Sequence, residues 1–329
     1  MRNWVGQIGD EELYEACDRH GIMIWQDFWL ANPVDGPNPY DETMFIANAE
    51  DFVRRMRSHA SIGLYCGRNE GFPPATIDAA LRQIVKAEHP GLHYISSSAD
   101  EVVTGHGPYR AQSVKTYFTL ENGRDKFHSE RGMPNVMNYE SLKRTLKEED
   151  LWPQGDKWGQ HDYTMEGAQG GSSFNAIIAK GFGEPQSAQE FTELAQWVNY
   201  DGYRAMFESR SAFRKGLLLW MTHPAWPSVI WQTYTYDYET PAPFFGSKKA
   251  CEPTHIQWNA TSQRLQVINA SRKEFSGAKA TFTIYDHSGK KLWAKEWKGL
   301  NIAADNLLDV EQVSLPSTEE PLVLVRLQL

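Results

Sequence analysis

The sequence predicts an α/β protein with a parallel sheet, followed by a small antiparallel β-sandwich. Up to about residue 250, strand-length apolar runs alternate with amphipathic helical patterns, which is typical of parallel strands joined by right-handed crossovers. The apolar runs show no polar alternation, as expected for strands that are covered on both faces. Near Cys251–Thr254 the helical period disappears and β-rich runs remain. We therefore predict two domains, 1–251 and 252–329.

The first elements have clear start and stop signals. A helix follows Asp10 as its N-cap candidate, carries acidic residues in its first turn and a basic pair in its last, and stops at Gly21. The apolar run Ile22–Trp25 follows as a strand, and the next helix, Thr43 to His59, places large apolar side chains on one face. The pattern then predicts strand Ile62–Cys66, a helix between Pro73 and Gly91, strand Leu92–Ser96, a helix from Tyr139 to Glu149, a long helix opened by a capping box at Ser187 and Glu190, and strand Gly216–Met221.

Two stretches carry weaker signals. Residues 101–125 are loop-rich, and most of the segment 138–186 is rich in Gly, Trp and His and is expected to be irregular. A loop of that length is typically functional or disordered. In the second domain, strands are predicted over Arg264–Asn269, Ala280–Asp286 and Leu322–Leu327, with a hairpin turn at His287-Ser-Gly289.

Composition and charge exclude several classes of partner. The formal net charge is −9, and acidic and basic residues are interspersed without a basic patch, which argues against nucleic-acid binding. The longest apolar runs are strand-length, so no membrane span is predicted. The cysteines Cys17, Cys66 and Cys251 lie far apart without a Cys-x-x-Cys pair, so we expect buried free thiols rather than a zinc site or a disulfide framework.

Four histidines lie in or beside the predicted loops. They lack a His-x-x-x-His spacing, so we expect hydrogen-bonding roles for them, with neither a metal nor another cofactor. They are His106, His128, His161 and His223.

Two glutamates are the candidate catalytic residues. Glu70 and Glu130 each close a short strand-like run just before a glycine-containing turn. Parallel α/β proteins place their chemistry at the carboxyl ends of strands. Two carboxyl groups facing one cleft are the minimal equipment for glycoside hydrolysis, because one protonates the leaving oxygen while the other attacks the sugar or activates water. The alternative is that both are ordinary solvated surface groups.

Ordered segments along nearly the whole chain resemble glycoside hydrolase family 2, which includes β-galactosidases, β-mannosidases and exo-β-glucosaminidases. Each segment is short, but together they occur in the family's order and with its spacing. The segments are Arg2-Asn-Trp4 at the end of the family's second barrel strand, Glu11–Asp27 over the next helix and strand, Gly67-Arg-Asn-Glu70, Phe127-His-Ser-Glu130, Leu218-Leu-Trp220, and Phe244–Gln257 at the passage from barrel to sandwich.

The resemblance implies a fold and a set of site residues. The fold is a (β/α)8-type TIM barrel truncated at its amino-terminal end, with the first strand missing, followed by an immunoglobulin-like β-sandwich. Glu70 would be the general acid/base and Glu130 the nucleophile of a retaining exo-β-glycosidase, with the carboxyls about 5 to 5.5 Å apart. The implied supporting roles are Arg2 holding Glu130 ionised, Asp27 binding sugar hydroxyls, Asn69 bonding the 2-hydroxyl, and Trp220 flooring the sugar site. The alternatives are a loop cap or an ion pair with Arg2 for Asp27, and core packing for Trp220.

The substrate and the state of the chain are left open by the sequence. A β-mannoside is the first choice, with exo-β-glucosaminidase or β-galactosidase activity as alternatives. Arg68 departs from the small polar residue more often found in relatives, which bears on substrate. The rival of another class is a catalytically inactive barrel fragment that binds carbohydrate at most.

The resemblance also leads to expectations about partners and location. We expect a carbohydrate ligand, and either self-association or missing amino-terminal domains covering the open barrel edge. The compartment is unknown: the family suggests a periplasmic or extracellular location, although this chain shows no signal peptide.

Overall fold

The computed structural model describes residues 1–329 except 6–7, 120–125, 165, 167–169, 212–214, 230, 260, 316 and 318–321. The chain divides into two compact units, and each is considered by itself. The first comprises Met1–Gly107, Gly123–Arg131 and Leu217–Leu219, and the second comprises Pro108–Asn122, Gly132–Gly216 and Trp220–Leu329.

The first unit is built on parallel strands that alternate with helices. Its elements are β1 (Arg2–Asn3), α1 (Glu11–His20), β2 (Ile24–Asp27), α2 (Glu42–Met56), β3 (Ile62–Arg68), α3 (Ala75–Glu88), β4 (His93–Ser97), β5 (Val103–Thr104), β6 (Phe127–Arg131) and β7 (Leu217–Leu219). One sheet has the order β1-β2-β3-β4 and another the order β5-β6-β7, with parallel pairing throughout. The predicted α/β class with parallel strands is confirmed.

The ends of the first helices follow partly from the sequence. Gly21 stops α1 in the left-handed region at φ 66°, where its N–H bonds the last turn, as predicted. Asp10 occupies the N-cap position, but its side chain makes no capping hydrogen bond. The clear N-cap is Asp41, whose side chain accepts from the N–H of Met44 at 2.9 Å.

Apolar side chains cover the strands of the first unit on both faces. On one face, α1, α2 and α3 pack against β2 and β3 through a cluster that includes Phe28, Phe52 and Tyr65. On the other face, a second cluster takes side chains from both sheets, including Trp25 and Phe127, whose ring centroids lie 6.1 Å apart. This double coverage explains why these strands are apolar runs without alternation.

The second unit begins with helices. They are α4 (Val114–Thr119), α5 (Tyr139–Thr145), a 3₁₀ turn (Glu148–Asp150), α6 (Asp156–Gln160), α7 (Gly171–Phe182), α8 (Ala188–Ser211) and α9 (Ala242–Ala250). The expectation that segment 138–186 is largely irregular is wrong for α7, a helix of 12 residues. The helix is flanked by glycines, Gly170 at φ 57° and Gly183 at φ 92°, and its apolar face is short, formed by Phe174 and Ile178. Its helical pattern in the sequence is therefore weak.

The loop expectation for residues 101–125 is corrected in the same way. This stretch contains the two residues of β5 and the six residues of α4, both too short to give a periodic signal. Residues 120–125 lie outside the described part of the chain.

The Ser187 half of the predicted capping box at the start of α8 is confirmed. The N–H of Glu190 donates to Ser187 Oγ at 3.1 Å, and the Glu190 carboxylate accepts from the N–H of Gln186 at 2.7 Å. The return bond therefore goes to the residue before Ser187, so these bonds satisfy one orphan N–H of the helix, that of Glu190, and the N–H of Gln186 outside it.

The carboxyl-terminal part of the second unit is antiparallel. Its strands are β8 (Thr254–Trp258), β9 (Arg264–Asn269), β10 (Phe275–Asp286), β11 (Lys291–Ile302), β12 (Asn306–Gln312) and β13 (Val323–Gln328). They form sheets of order β11-β10-β13 and β12-β9-β8 that share a core containing Leu265 and Phe282. The predicted hairpin turn lies between β10 and β11, where Ile284 pairs with Trp293. The domain boundary at 251/252 stays a prediction.

Two further expectations concern cysteines and membranes. Cys17 and Cys66 are buried, but the expectation of burial is wrong for Cys251, which is exposed where α9 ends. Among the described residues, no helix is both long and apolar enough to cross a membrane.

His59 ties α1 to the turn between α2 and β3. Its Nδ1 lies 2.8 Å from the Asp18 carboxylate and its Nε2 lies 2.8 Å from the Glu11 carboxylate. Asp18 also accepts from the N–H of Ser61 at 2.7 Å. Burial lowers the pKa of His59, but the hydrogen bonds to the two carboxylates outweigh it, so the pKa is raised overall.

We therefore predict that the stabilising contribution of His59 is lost as the pH rises. A raised pKa in the folded state gives a contribution that is complete below the ordinary histidine pKa of about 6.5 and disappears as the pH passes the raised value. In thermal unfolding, His59→Gln should lower the melting temperature more at pH 6 than at pH 9. The exposed His20→Gln is the matched control, and an equal loss for His59→Gln at both pH values would contradict the prediction.

Candidate active site

The two candidate glutamates lie at the carboxyl ends of parallel strands in the first unit. Glu70 follows β3 by two residues, and Glu130 is the next-to-last residue of β6. Glu130 is only 4% exposed. The Glu70 carboxyl is close enough to Glu130 to raise the pKa of Glu130 through its charge and through hydrogen bonding. Each of the two parallel sheets thus contributes one carboxyl group, and the two carboxyl groups interact directly.

Arg2 connects three of the predicted site residues. Its guanidinium donates to the Asp27 carboxylate, with Nη2 2.7 Å from Oδ2, and to Asn69 Oδ1 at 2.6 Å. Its Nη1 lies 3.6 Å from Glu130 Oε2. One buried cation therefore interacts with polar side chains at the ends of β2, β3 and β6.

Asp27 is held inside this network. It is 1% exposed and accepts from Trp25 Nε1 at 2.7 Å in addition to Arg2. The ion pair with Arg2 is the alternative foreseen for this residue, and contact between Asp27 and a sugar stays a prediction. In the described structure, Asp27 orients the guanidinium that faces Glu130.

The turn that carries Glu70 is strained. Glu70 has φ 46°, a left-handed conformation that costs a non-glycine residue on the order of 1–2 kcal/mol. Its N–H donates to Ser98 Oγ at 2.9 Å, and Ser98 Oγ bonds Asn69 Oδ1 at 3.2 Å. Sequence reasoning missed Ser98. The signal was available, because Ser96-Ser97-Ser98 is a polar run at the carboxyl end of a strand.

The protonation of the pair differs from the expectation. Burial raises the pKa of Glu130 to about 8; Arg2 acts in the opposite direction, while the charge and hydrogen bond of Glu70 raise it further. We expected Arg2 to keep Glu130 ionised, but its guanidinium is shared with Asp27, itself a buried carboxyl with a raised pKa. Glu130 therefore retains its proton near neutral pH in the free protein.

Two buried polar atoms of the network lack a hydrogen-bond partner among the described residues. They are Nη1 of Arg2 and Oε1 of Glu130. Because buried polar atoms are normally hydrogen-bonded, a donor and an acceptor in this position are suited to a polar ligand.

Trp220 lies in the second unit. It is half-buried, and its ring centroid lies 4.3 Å from that of Trp231 and 5.0 Å from that of Tyr109. Core packing in an aromatic cluster, the alternative for this residue, is thus present, and its contact with a sugar stays a prediction. Tyr109 and Trp231 were not singled out from the sequence.

The four histidines have varied surroundings. His128 Nε2 is 2.9 Å from the carbonyl oxygen of Gly107, and His161 Nδ1 is 2.5 Å from that of Pro227. His223 stacks on Tyr238 with centroids 4.6 Å apart. The exposed ring of His106 lies 3.8 Å from Glu70 and 3.5 Å from Asp100. Within the described residues, no group of three or more His, Cys, Asp or Glu residues is arranged to hold a metal ion.

The chain is similar in sequence to known glycosidases. It is 25% identical over 391 residues to a mannosylglycoprotein endo-β-mannosidase of Lilium longiflorum, and 25% identical over 346 residues to an exo-β-D-glucosaminidase of Streptomyces avermitilis. These alignments cover 100% and 95% of this chain but only 41% and 38% of the relatives, so the chain spans about two fifths of their length. No protein-family model matches the chain.

The same group of enzymes appears among solved structures. The exo-chitosanase CsxA of Amycolatopsis orientalis superposes with a TM-score of 0.87 at 21% identity, over 99% of this chain and 42% of that one. A β-D-mannosidase from Dictyoglomus thermophilum superposes with a TM-score of 0.85 at 24% identity, over 99% of this chain and 43% of that one. These likenesses establish a shared fold. The chain is thus similar in sequence to an endo-β-mannosidase and to an exo-β-glucosaminidase, and it shares its fold with an exo-chitosanase and a β-D-mannosidase.

Proposed function

We propose that this chain carries the catalytic centre of a retaining exo-β-glycosidase. The observation that supports the proposal most strongly is the interaction of Glu70 with the buried Glu130, whose carboxylate lies 3.6 Å from the guanidinium of Arg2. Glu130 is the nucleophile and Glu70 is the general acid/base. Two such carboxyl groups suffice for hydrolysis with retention, and the reaction needs no cofactor.

The reaction proceeds by two displacements at the anomeric carbon. In the first, a Glu130 oxygen forms a bond to that carbon as the bond to the leaving oxygen breaks, and Glu70 gives its proton to the leaving oxygen. In the second, water attacks the same carbon, Glu70 takes a proton from the water, and the bond to Glu130 breaks. Asn69, oriented by Arg2 and Ser98, bonds the 2-hydroxyl of the sugar.

The proton shared by the pair has a defined part in this scheme. The reactive form has Glu130 ionised and Glu70 protonated, although burial favours a proton on Glu130 in the free protein. Because the Glu70 carboxyl interacts directly with Glu130, it is placed to receive that proton. Arg2 stabilises the Glu130 carboxylate once the proton has moved.

We also propose that the two parallel sheets are parts of one (β/α)8-type barrel within domain 1–251, followed by a sandwich domain, 252–329. The apolar cluster shared by both sheets supports a common interior. The described strands of these sheets number seven, so an eighth is supplied from outside them. An amino-terminal part of the parent protein or a second copy of the chain would cover the remaining edge.

A terminal β-mannoside is the proposed substrate. The segment Phe244–Gln257 resembles the β-mannosidase and exo-glucosaminidase branch, and the curated relatives include enzymes of both names. Exo-β-glucosaminidase and β-galactosidase activities are the alternatives. A panel of nitrophenyl β-glycosides distinguishes them, and hydrolysis of none would favour a barrel that binds sugar without turnover.

The glutamate variants separate the two roles. Glu130→Gln should abolish turnover for every leaving group, because no glycosyl-enzyme forms. Glu70→Ala should lower kcat/KM roughly 10²–10⁴-fold on substrates with poor leaving groups. On dinitrophenyl glycosides the loss in kcat/KM should be far smaller, because dinitrophenolate departs without protonation. Added azide should partly restore the Glu70→Ala rate, because an anion needs no general base. Equal losses in both variants without azide rescue would overturn the assignment.

The pH dependence tests the shared proton. Because the reactive pair carries one proton, kcat/KM of the wild-type protein should fall on the alkaline side with an apparent pKa of about 8. Initial rates at low substrate concentration, measured from pH 4 to pH 10, give the profile. If kcat/KM still rises above about pH 9, the form with both glutamates ionised is the active one.

A further inference from the structure

The strained turn of Glu70 is held by the loop that follows β2. We define the β2 loop as residues 28–41, between β2 and α2. The N–H of Asn69 donates to the carbonyl oxygen of Leu30 in this loop at 2.9 Å. Pro33 packs so closely on Gly71 that a Cβ on the glycine would come within 2.8 Å of the proline ring. The loop and the turn therefore contact each other on both sides of Glu70.

Arg68 makes the largest set of contacts between the two segments. Its Nε donates to the carbonyl oxygen of Ala31 at 2.8 Å, Nη1 to Asn38 Oδ1 at 2.6 Å, and Nη2 to the carbonyl oxygen of Gly36 at 3.1 Å. The residue is only 3% exposed. The side chain of one strand-end residue thus fixes three separate points of the β2 loop.

The chemistry of these contacts favours a positional role over a charge role. All three acceptors are neutral oxygens, and the ion pairs found among the described residues do not include Arg68. A planar guanidinium reaches three diverging acceptors, whereas a lysine ammonium is a point donor on a flexible stem. Arg68 therefore contributes mainly through the fixed directions of its donors, which hold three neutral oxygens of the loop.

We propose that Arg68 is a positioning residue for Glu70. It clamps the β2 loop against the Asn69–Glu70 turn and thereby holds the Glu70 carboxyl where it meets the leaving oxygen. This inference rests on the proposed acid/base role of Glu70. Loss of the clamp lets the left-handed turn relax, which displaces the carboxyl while leaving Glu130 in place on β6.

The leaving-group dependence of the rate tests the clamp. Arg68→Ala should lower kcat/KM about 10²-fold on methyl or disaccharide β-glycosides, because a displacement of about 1 Å has that effect. On dinitrophenyl glycosides the loss should be less than about 5-fold, because departure needs no proton. On the methyl or disaccharide glycosides KM should change little. Because Glu70 is also the base of the second displacement, azide should raise kcat of Arg68→Ala on the dinitrophenyl glycosides, where that displacement is the slow step. Arg68→Lys should restore only part of the rate. Val34→Ala, at a 92% exposed position of the same loop, is the matched control.

Hydrogen exchange tests the clamp independently of turnover. In Arg68→Ala, exchange should speed up in peptides covering 30–38 and 69–71, with peptides from β6 unchanged. Unchanged exchange in those peptides would overturn the proposal even if the chain is inactive. So would an equal rate loss on good and poor leaving groups. If Glu70→Ala itself shows no leaving-group dependence, the proposed function fails, and the exchange result then decides the clamp alone.

Discussion

A single buried cation organises the candidate site. The guanidinium of Arg2 bonds Asp27 and Asn69 and lies 3.6 Å from Glu130, so side chains from the ends of three strands depend on one charge. Burial of carboxyl groups is costly unless a positive charge is near, and here one cation must serve more than one of them. That shortage explains why the pKa of Glu130 is raised and why a proton is retained by the glutamate pair.

The fold supplies the geometry that this charge needs. Parallel strands bring their carboxyl ends to one edge, and the apolar clusters on both faces fix the strands from which Asp27, Asn69 and Glu130 project. The Glu70 turn is the strained member of the set, and contacts from Ser98 and the β2 loop hold it. Rigid strands and one braced turn thus place the two carboxyls in contact.

Much of this arrangement could be predicted from the sequence. The apolar runs, the glycine stop at Gly21 and the capping box at Ser187 are local signals, and each acts within a few residues. The position of the glutamates at strand ends was also predicted from residues close to them in the chain. The helix α7 was missed because its glycines mask the helical period.

The remaining features depend on contacts between distant segments. The division of the Arg2 charge between Asp27 and Glu130 joins positions more than 100 residues apart, and no local pattern reports it. The same holds for the three acceptors of Arg68, which lie 30 or more residues before it in the chain. Burial and neighbouring charges determine the pKa of Glu130, so the direction of its shift could be derived only from the three-dimensional positions of those neighbours.

Trapping the covalent intermediate tests the central claim most directly. A 2-deoxy-2-fluoro-β-mannosyl fluoride forms the glycosyl-enzyme readily because of its good leaving group, and the 2-fluorine slows its hydrolysis. After digestion, mass spectrometry should find the fluorosugar on Glu130, in the peptide that contains Phe127–Arg131. A 5-fluoro-β-glucosaminyl fluoride, which keeps the 2-amino group, and a 2-deoxy-2-fluoro-β-galactosyl fluoride extend the test to the alternative substrates. A label on Glu70, or no label with any of these reagents, would contradict the assignment of Glu130 as the nucleophile.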